Sequence, residues 1–390
     1  MSSQANDPIV IVGMARTPMG GFQGDFANLT APDLGAAAIR AALQRSGVAG
    51  VDEVIMGNVL SAGQGQAPAR QASIGAGIPN SVGCTTINKM CGSGLKAVML
   101  AHDLIAAGTN DVMVAGGMES MTNAPYLLPK ARGGYRMGHG QVIDHMFMDG
   151  LEDAYDRGKL MGVFAELCAG EYQFTREAQD AFAIESLTRA QKADFAAEII
   201  PVTVKAGKEE KVISIDEQPG KARPDKIPGL KPAFKPDGTV TAANASSISD
   251  GAAALVLIRR SAAEKGGHKI LATIAGHSTF AHEPSWFTTA PVGALKKLSD
   301  KTGWAMKDVD LFEINEAFAV VTMAAMKDLD LPHDKVNVHG GACALGHPIG
   351  ASGARVLVTL IAALEKYDLK RGMATLCIGG GEAVAVAVER

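Results

Sequence analysis

The sequence has few cysteines, no long apolar run and no cluster of basic residues. Its five cysteines include no C-x-x-C pair, which argues against a disulfide framework and against the usual zinc knuckles. No apolar run reaches the roughly 18 residues that a membrane-spanning helix needs. No block of five or more Lys and Arg suggests a nucleic-acid footprint. We therefore expect free thiols, no membrane partner and no nucleic-acid partner.

The composition is that of a globular protein large enough for two domains. Of the 390 residues, 47% are hydrophobic and 20% charged, and the net charge is −4. The first residues, MSSQANDPIVIVG, do not show the basic region followed by an apolar region that is typical of a secretory signal peptide. The last residues, AVAVER, do not match a peroxisomal targeting tripeptide. These features predict a cytoplasmic location.

The order of predicted strands and helices occurs twice along the chain. A strand at 51–60, a helix from about 92 to 107 and a strand at 111–117 are echoed by strands at 309–318 and in VNVHGG, a helix in GASGARVLVTLIAALEKY and a final strand pair. Three landmarks repeat at similar separations: Val51 and Val309 at 258 residues, Ser93 and Ser352 at 259, and the pairs Gly116-Gly117 and Gly379-Gly380 at 263. This repetition predicts a duplicated α/β unit.

The segment between the two halves has a different texture. Residues 123–243 are rich in Met, Pro, Gly and Lys, and we expect them to be largely irregular apart from one amphipathic helix in TREAQDAFAIESLTRAQKADF. Long irregular excursions of this kind are often lids or binding loops.

The stretch INKMCGSGLKAV at 87–98 allows two functional interpretations. Gly92-Ser-Gly94-Leu-Lys-Ala97 fits the spacing of a dinucleotide-binding turn, but Cys91 stands directly before it and the turn is not in the first βα unit. Alternatively, Cys91 begins a helix whose dipole lowers the thiol pKa and makes the sulfur nucleophilic. In a third, purely structural interpretation, Cys91 is a small buried residue that packs as a hydrophobic side chain.

Groups that could assist a nucleophilic thiol lie at equivalent places in the second half. His347, in a Gly/Pro-rich loop before a helix, is a plausible general base. Cys377 ends an apolar strand before Gly379, where backbone N–H groups could bind an oxyanion. Asn315 ends the strand equivalent to 51–60. We expect His347, Cys377, Gly379 and Asn315 to lie on one rim of the sheets.

A metal-binding alternative involves the same loop. His339, Cys343 and His347 are spaced four residues apart, as on a metal-binding helix face, but the intervening GGACALG is too rich in glycine for a stable helix. The other histidines, among them His102 and His277, show no partner pattern and are expected in solvated or core positions.

Several motifs together resemble the thiolase family, and within it the acetyl-CoA acetyltransferase branch. They are INKMCGSGLKAV, VAGGMESMTNAPYLL, NEAFA, GGACALGHPIGASGAR and CIGGG, in order along nearly the whole chain. The resemblance implies an α/β protein of the five-layer αβαβα thiolase fold, built from two βαβαβαββ halves plus a loop domain. The halves would be residues 1–122 with 244–268 and residues 269–390, and the loop domain residues 123–243.

The resemblance also implies roles for the rim residues. Cys91 would accept the acyl group, activated by His347, and Cys377 would exchange a proton with the α-carbon of acetyl-CoA. Asn315, through a water, would form one oxyanion hole with His347, and the N–H groups of Cys91 and Gly379 would form the other. The implied reaction is a ping-pong Claisen condensation of two acetyl-CoA to acetoacetyl-CoA and CoA, or the reverse thiolysis.

Coenzyme A is expected as a substrate and not as a prosthetic group. The family pattern carries over as pantetheine and adenine contacts to Leu151, Met161, Phe234, Ala242, Ala245, Ser246, Ala317 and Phe318. Lys221 and Arg223, in the loop PGKARPDK, could meet the CoA phosphates or could simply be solvated.

Some residues depart from the family pattern and leave alternatives open. Leu160 stands where some biosynthetic members have a histidine, and Trp286-Phe287 where some have a methionine beside the acyl pocket. Two aromatic residues favour a short acyl pocket, with a longer-chain 3-ketoacyl-CoA thiolase as the alternative. Cys377 argues against a decarboxylating ketosynthase, and a non-catalytic acyl-CoA carrier is the alternative from another class. The segment GNVLSAGQGQAPARQAS resembles a dimer-side segment of the family, which implies a homotetramer.

Overall fold

The computed structural model describes residues 7–390. Residues 1–6, which the predicted N-terminal half includes, lie outside the described residues.

Fourteen strands and eleven α-helices are formed by the described residues. The strands are β1 (Ile9–Arg16), β2 (Gly20–Gly21), β3 (Glu53–Gly57), β4 (Gly83–Ile87), β5 (Val112–Ser120), β6 (Tyr126–Leu127), β7 (Ile143–Asp144), β8 (Val202–Ala206), β9 (Glu209–Ile213), β10 (Ser249–Arg259), β11 (Ala272–Ala281), β12 (Leu311–Ile314), β13 (Arg371–Ile378) and β14 (Glu382–Glu389). The helices are α1 (Ala31–Ser46), α2 (Pro68–Gly75), α3 (Ser93–Ala106), α4 (Met161–Tyr172), α5 (Arg176–Lys192), α6 (Glu217–Lys221), α7 (Arg260–Gly266), α8 (Ala290–Thr302), α9 (Ala319–Leu329), α10 (Ala342–Leu345) and α11 (Ile349–Lys366). None of the described helices is both long and apolar enough to span a bilayer.

Local sequence signals fix the ends of the first long helix. At the start of α1, the Thr30 side chain accepts from the backbone of Asp33 while the Asp33 carboxylate accepts from the backbone of Thr30, which is a capping box. Pro32 lies in the first turn, where its missing N–H costs nothing. Gly47 ends the helix with φ of 66°.

The strand order confirms the duplication. The first half runs β4-β3-β5-β10-β1 and the second runs β12-β13-β14-β11, and the two are joined where β1 pairs with β11. Each half has a parallel pair, β3 with β5 or β12 with β13, followed by antiparallel neighbours. The predicted strand in VNVHGG is only a bridge from Val336 to Phe312, but it takes the place of β4 beside β12.

Strand register corrects one of the three sequence landmarks. Met56 pairs with Gly116 in the first half and Ile314 pairs with Thr375 in the second. Gly116 therefore corresponds to Thr375, 259 residues later, and not to Gly379, which lies in the turn after β13. The separation between equivalent residues therefore stays at 258 to 259 through the repeat, and the value of 263 does not join equivalent positions.

The predicted five layers follow from where the apolar clusters lie. One cluster packs α1 against the outer face of the first half-sheet, and another packs α8 against the outer face of the second. The largest lies between the half-sheets and contains α3 and α11. Sixteen of the 18 residues of α11 are buried, as expected for a helix that is covered on all sides.

The glycines of the repeated GSG and ASG motifs allow α3 and α11 to cross closely. A Cβ on Gly94 would lie 2.7 Å from the backbone nitrogen of Ala354, and one on Gly353 would lie 2.4 Å from that of Leu95. Real Cβ atoms do not approach backbone that closely, so both positions require glycine. Gly94 is thus a helix-packing residue, which contradicts the dinucleotide interpretation.

The middle segment is more regular than predicted. It contains the predicted helix as α5, which begins after its N-cap Thr175, but also the helix α4 and the hairpin β8–β9. Met161 begins α4 and does not lie in an irregular stretch. Helix α4 could not be predicted from the sequence, because its apolar residues do not recur at helical spacing along one face.

Candidate active site

Most of the predicted site residues line one cavity of about 370 Å³. The predicted residues that line it are Cys91, Leu151, Met161, Phe234, Ala242, Ala245, Ser246, Ala317, Phe318, His347, Cys377 and Gly379. Asn315, Lys221 and Arg223 do not line it.

Cys91 is presented by a tight turn between β4 and α3. Met90 has φ of 47°, a left-handed conformation that is strained for a side chain with a Cβ. Ser93 holds the turn, since its hydroxyl donates to the Met90 carbonyl at 2.7 Å and accepts from the Lys89 N–H at 2.8 Å. The turn projects the thiol into the cavity at the start of a helix.

The predicted lowering of the Cys91 pKa is wrong. Burial raises the pKa of the Cys91 thiol to about 11, and Glu119 adds to the rise. The backbone N–H groups of Gly379 and of Cys91 itself act in the opposite direction, but burial outweighs them. Cys91 is therefore a neutral thiol at rest, and its activation requires a base.

His347 has the protonation state of such a base. Burial, together with the charge of Arg355, lowers the pKa of His347 to about 3, so the imidazole is neutral at pH 7. Its Nδ1 lies 2.6 Å from the hydroxyl of Ser352, which itself donates to the Pro348 carbonyl at 3.0 Å. The hydroxyl can then only accept from Nδ1–H, so Nε2 carries the free lone pair. Nε2 is buried and has no partner in the protein.

Asn315 is buried behind His347. Arg355 donates to its Oδ1 at 3.3 Å, and its Nδ2 lies 3.5 Å from His347 Nδ1. The guanidinium therefore sets the amide orientation and turns the amide donors toward the His347 side. The Glu313 carboxyl group accepts from Arg355 at 3.4 Å, so the guanidinium that orients the amide is itself held by a buried carboxyl group.

Cys377 and Gly379 lie where β13 turns into β14. Burial, with Cys91 nearby, raises the pKa of the Cys377 thiol well above its ordinary value. The turn requires glycine at Gly380 and Gly381, whose φ angles are 96° and 87°. It leaves the Gly379 N–H facing the Cys91 sulfur, so this N–H and that of Cys91 can serve one oxyanion.

The segments predicted to contact coenzyme A are fastened to each other. Ala245 forms a β-bridge with Phe318, and both the N–H and the hydroxyl of Ser246 donate to the Ala317 carbonyl, at 3.0 and 2.9 Å. Met161, at the start of α4, lines the same cavity, with its sulfur 3.4 Å from where a Cβ of Gly379 would be. An acyl-CoA thioester in the cavity would therefore lie against both α4 and this bridge.

Glu119 is a site residue that sequence reasoning missed. Its carboxyl group accepts from the N–H groups of Val59, Leu60 and Gly350 at 2.9 to 3.1 Å, and so holds the loop after β3 against the first turn of α11. Burial raises the Glu119 pKa to about 7. The motif GGMES contains it, but partners that lie about 60 and 231 residues away leave no local signal.

The two basic residues proposed for the CoA phosphates have different positions. Lys221 forms an ion pair with Glu217 and is exposed outside the cavity. Arg223 lines an adjoining cavity of about 300 Å³, which shares Ala242 and Ser247 with the first. The geometry therefore favours Arg223, and the role of both stays a prediction.

The metal-binding alternative for His339, Cys343 and His347 fails. His339 Nε2 lies 3.2 Å from the Tyr367 hydroxyl, Cys343 lies against the Glu316 carbonyl and His347 bonds to serine. Helix α10 has only four residues, so no helical face aligns the three. Among residues 7–390, they do not form a metal-sized group of ligand atoms.

Comparison with known proteins assigns the family. The model for the thiolase N-terminal domain matches residues 9–261, and that for the thiolase C-terminal domain matches residues 268–390. The chain belongs to the thiolase family. Acetyl-CoA acetyltransferase 2 of Arabidopsis thaliana is 53% identical over 98% of this chain and 96% of that one. Acetyl-CoA acetyltransferase of Cupriavidus necator is 50% identical over 98% of this chain and 99% of that one.

Solved thiolase structures confirm the fold. The Bacillus anthracis acetyl-CoA acetyltransferase superposes with a TM-score of 0.96 at 41% identity, covering 98% of both chains. The thiolase from Ascaris suum in complex with coenzyme A has a TM-score of 0.92 at 42% identity, covering 98% of this chain and all of that one. The predicted thiolase fold is therefore confirmed, and this thiolase is an acyl-transferring enzyme.

Proposed function

We propose that this thiolase is an acetyl-CoA C-acetyltransferase that forms acetoacetyl-CoA through an acetyl-Cys91 intermediate. The observation that carries the proposal is that Cys91, His347, Cys377 and Gly379 line one cavity. Coenzyme A enters as a substrate, which agrees with relatives named acetyl-CoA acetyltransferase and with the CoA complex of the Ascaris suum thiolase.

Acylation of Cys91 begins from neutral groups. His347 Nε2 removes the thiol proton as sulfur attacks the acetyl carbonyl, and the oxyanion is met by N–H groups of the cavity. CoA leaves as the C–S bond breaks and takes a proton from Cys377. The site then holds acetyl-Cys91, an imidazolium at His347 and a thiolate at Cys377.

Condensation uses the charges that acylation created. The Cys377 thiolate removes the α-proton of a second acetyl-CoA, and the resulting carbanion attacks acetyl-Cys91. The C–S bond breaks, acetoacetyl-CoA leaves, and the released Cys91 thiolate recovers its proton from His347. Because burial makes Cys377 a weak acid, its thiolate is a strong base, as an acid as weak as a thioester α-carbon requires.

Intact-mass spectrometry tests the proposal. The protein mixed with acetyl-CoA should gain one acetyl group, which peptide mapping places on Cys91 and added CoA removes. The Cys91→Ser variant should give no thiol-discharged adduct. Cys377→Ser should still form acetyl-Cys91, but more slowly because the leaving CoA must take its proton from water, and it should lose condensation. Coenzyme A binding without any adduct would instead support a non-catalytic carrier, and an adduct confined to Cys377 would exchange the proposed roles.

A short acyl pocket is part of the proposal. Of the two aromatic residues singled out in the sequence, Phe287 lines the cavity and Trp286 does not. Phe287 is buried in the same apolar cluster as Cys377 and Phe318, so it closes the acyl end. Thiolysis of a ten-carbon 3-ketoacyl-CoA as fast as that of acetoacetyl-CoA would contradict this assignment.

The assembly and the location are also proposals. We expect a homotetramer, because residues 57–73 resemble a dimer-side segment of the family. We also expect a cytoplasmic location. Light scattering coupled to size-exclusion chromatography tests the assembly, because four chains of 40.4 kDa should elute together. Elution as a monomer at micromolar concentration would contradict it.

A further inference from the structure

Three potential metal ligands meet away from the catalytic cavity. His102 and Asp103 lie near the end of α3, and His277 lies in β11. The Asp103 Oδ1 is 3.1 Å from His102 Nδ1 and 2.8 Å from His277 Nε2. All three ligand atoms lie within 4.8 Å of one another, and no other such group occurs among residues 7–390.

The spacing and chemistry of these atoms suit a borderline divalent ion. Tetrahedral zinc with bonds of about 2.0 to 2.1 Å holds its ligand atoms about 3.3 Å apart. The contacts to Asp103 are slightly shorter than this, so a small outward rotation of the side chains would admit an ion. Two imidazoles and one carboxylate favour zinc and the late transition metals over magnesium or calcium.

The surroundings leave room for a fourth ligand. His102 also lines a cavity of about 320 Å³, through which an ion and a water could enter. Lys301 donates to the His277 backbone carbonyl and Arg259 lines the cavity, and these cations oppose ion binding in part.

We infer that His102, Asp103 and His277 form a binding site for a divalent transition-metal ion of the zinc class, with water as the fourth ligand. The site lies about 14 Å along α3 from the catalytic turn, so it takes no part in the acyl transfer. It joins α3, within the residues matched by the N-terminal family domain, to β11, within those matched by the C-terminal domain. Its role is to clamp the two halves together.

Free thiols complicate the test, because they also bind zinc. The full-length protein is therefore treated with iodoacetamide, freed of metal with a chelator and titrated with Zn²⁺ against a chromophoric competitor. Co²⁺ then serves as a spectroscopic probe of coordination. His277→Gln and Asp103→Asn remove ligands, and His139→Gln is the control because His139 is exposed and outside the group.

The expected result is one Zn²⁺ per thiol-blocked chain, a tetrahedral Co²⁺ spectrum without thiolate bands and a Zn²⁺-dependent rise in Tm. His277→Gln and Asp103→Asn should each weaken Zn²⁺ binding by roughly 100-fold and abolish the Tm rise. His139→Gln should behave as wild type, and all three variants, assayed metal-free before thiol blocking, should keep thiolase activity as evidence of folding. Absence of stoichiometric binding after thiol blocking, or unchanged affinity in both ligand variants, would overturn the inference.

Discussion

In the proposed mechanism, charge separates between single residues of the cavity only during the reaction. At neutral pH, Cys91 and Cys377 are thiols and His347 is an imidazole, because burial disfavours the charged form of each. An ion pair of thiolate and imidazolium is therefore formed only when substrate arrives. The N-termini of α3 and α11 point into this site, and their dipoles then stabilise thiolate and oxyanion.

Ser352 is predicted to position the base. In Ser352→Ala, His347 loses the acceptor that fixes its tautomer, so Nε2 is no longer reliably unprotonated. We expect the rate of Cys91 acetylation to fall about 10- to 100-fold, with little change in KM for acetyl-CoA. Stopped-flow acetylation measures this. Ser278→Ala is the control, because Ser278 is also buried and donates to a carbonyl far from the site.

Phe287 is predicted to set acyl-chain length. Phe287→Ala should enlarge the acyl end of the cavity and raise the ratio of kcat/KM for 3-ketohexanoyl-CoA to that for acetoacetyl-CoA by about tenfold. Phe234→Ala is the matched control, since Phe234 lines the cavity at the predicted pantetheine contacts and should weaken binding of both substrates equally. An unchanged ratio in Phe287→Ala would show that another residue limits the chain length.

At the scale of elements, the crossing of α3 and α11 is a contact that leaves no room for a side chain. Gly94→Ala places a Cβ 2.7 Å from backbone, and backbone cannot move aside as a side chain can. We expect a loss of about 3 kcal/mol in the free energy of unfolding, or failure to fold. Gly170→Ala is the control, because this glycine of α4 has open space around it and should gain about 0.5 kcal/mol. Urea unfolding of both variants compares them, and equal stability would contradict close packing at the crossing.

The elements that sequence reasoning located are those with a local pattern. The strands β3 and β5 are apolar runs, and α5 has an N-cap and helical spacing, so each was predicted close to its observed position. Helix α4 and the Val336 bridge were not, because their conformation depends on tertiary neighbours. The repeat was predicted from Val51 and Ser93, but its third landmark compared a strand with a turn.

At the scale of the whole molecule, the proposed catalytic residues could be predicted from the sequence, but the residues that support them could not. Cys91 and His347 lie at strand and helix ends in motifs of several residues, so both the pattern and the family resemblance locate them. Glu119, Ser352 and Arg355 act through partners that only the folded chain brings together. The shift of the Cys91 pKa was misjudged for the same reason, since burial cannot be read from one helix N-terminus.

Buried carboxyl groups and buried histidines impose opposite pH dependences on the stability of the fold. Burial raises the pKa of Glu119 to about 7 and of Glu313 to about 8 from an unfolded value of 4.5. Between the unfolded and folded values the folded chain binds the extra proton, so stability falls as pH rises. His347 and His339, with pKa values lowered to about 3 and about 4, instead lose stability as pH falls below 6.5. The two effects oppose each other below pH 6.5, and only the carboxyl effect remains above it.

Glu313 is therefore predicted to make the largest contribution to the pH dependence of the free energy of unfolding between pH 6.5 and 8. This window also lies below the range where thiols ionise. Over this window the free energy of unfolding should fall by about 2 kcal/mol, because unfolding releases the Glu313 proton. Glu313→Gln mimics the neutral acid and should remove most of that slope, whereas the exposed Glu210→Gln should keep it. Urea unfolding at fixed protein concentration measures the slope. A flat wild-type profile would mean that Arg355 holds Glu313 ionised in the folded chain, and the buried pair would then be a true salt bridge.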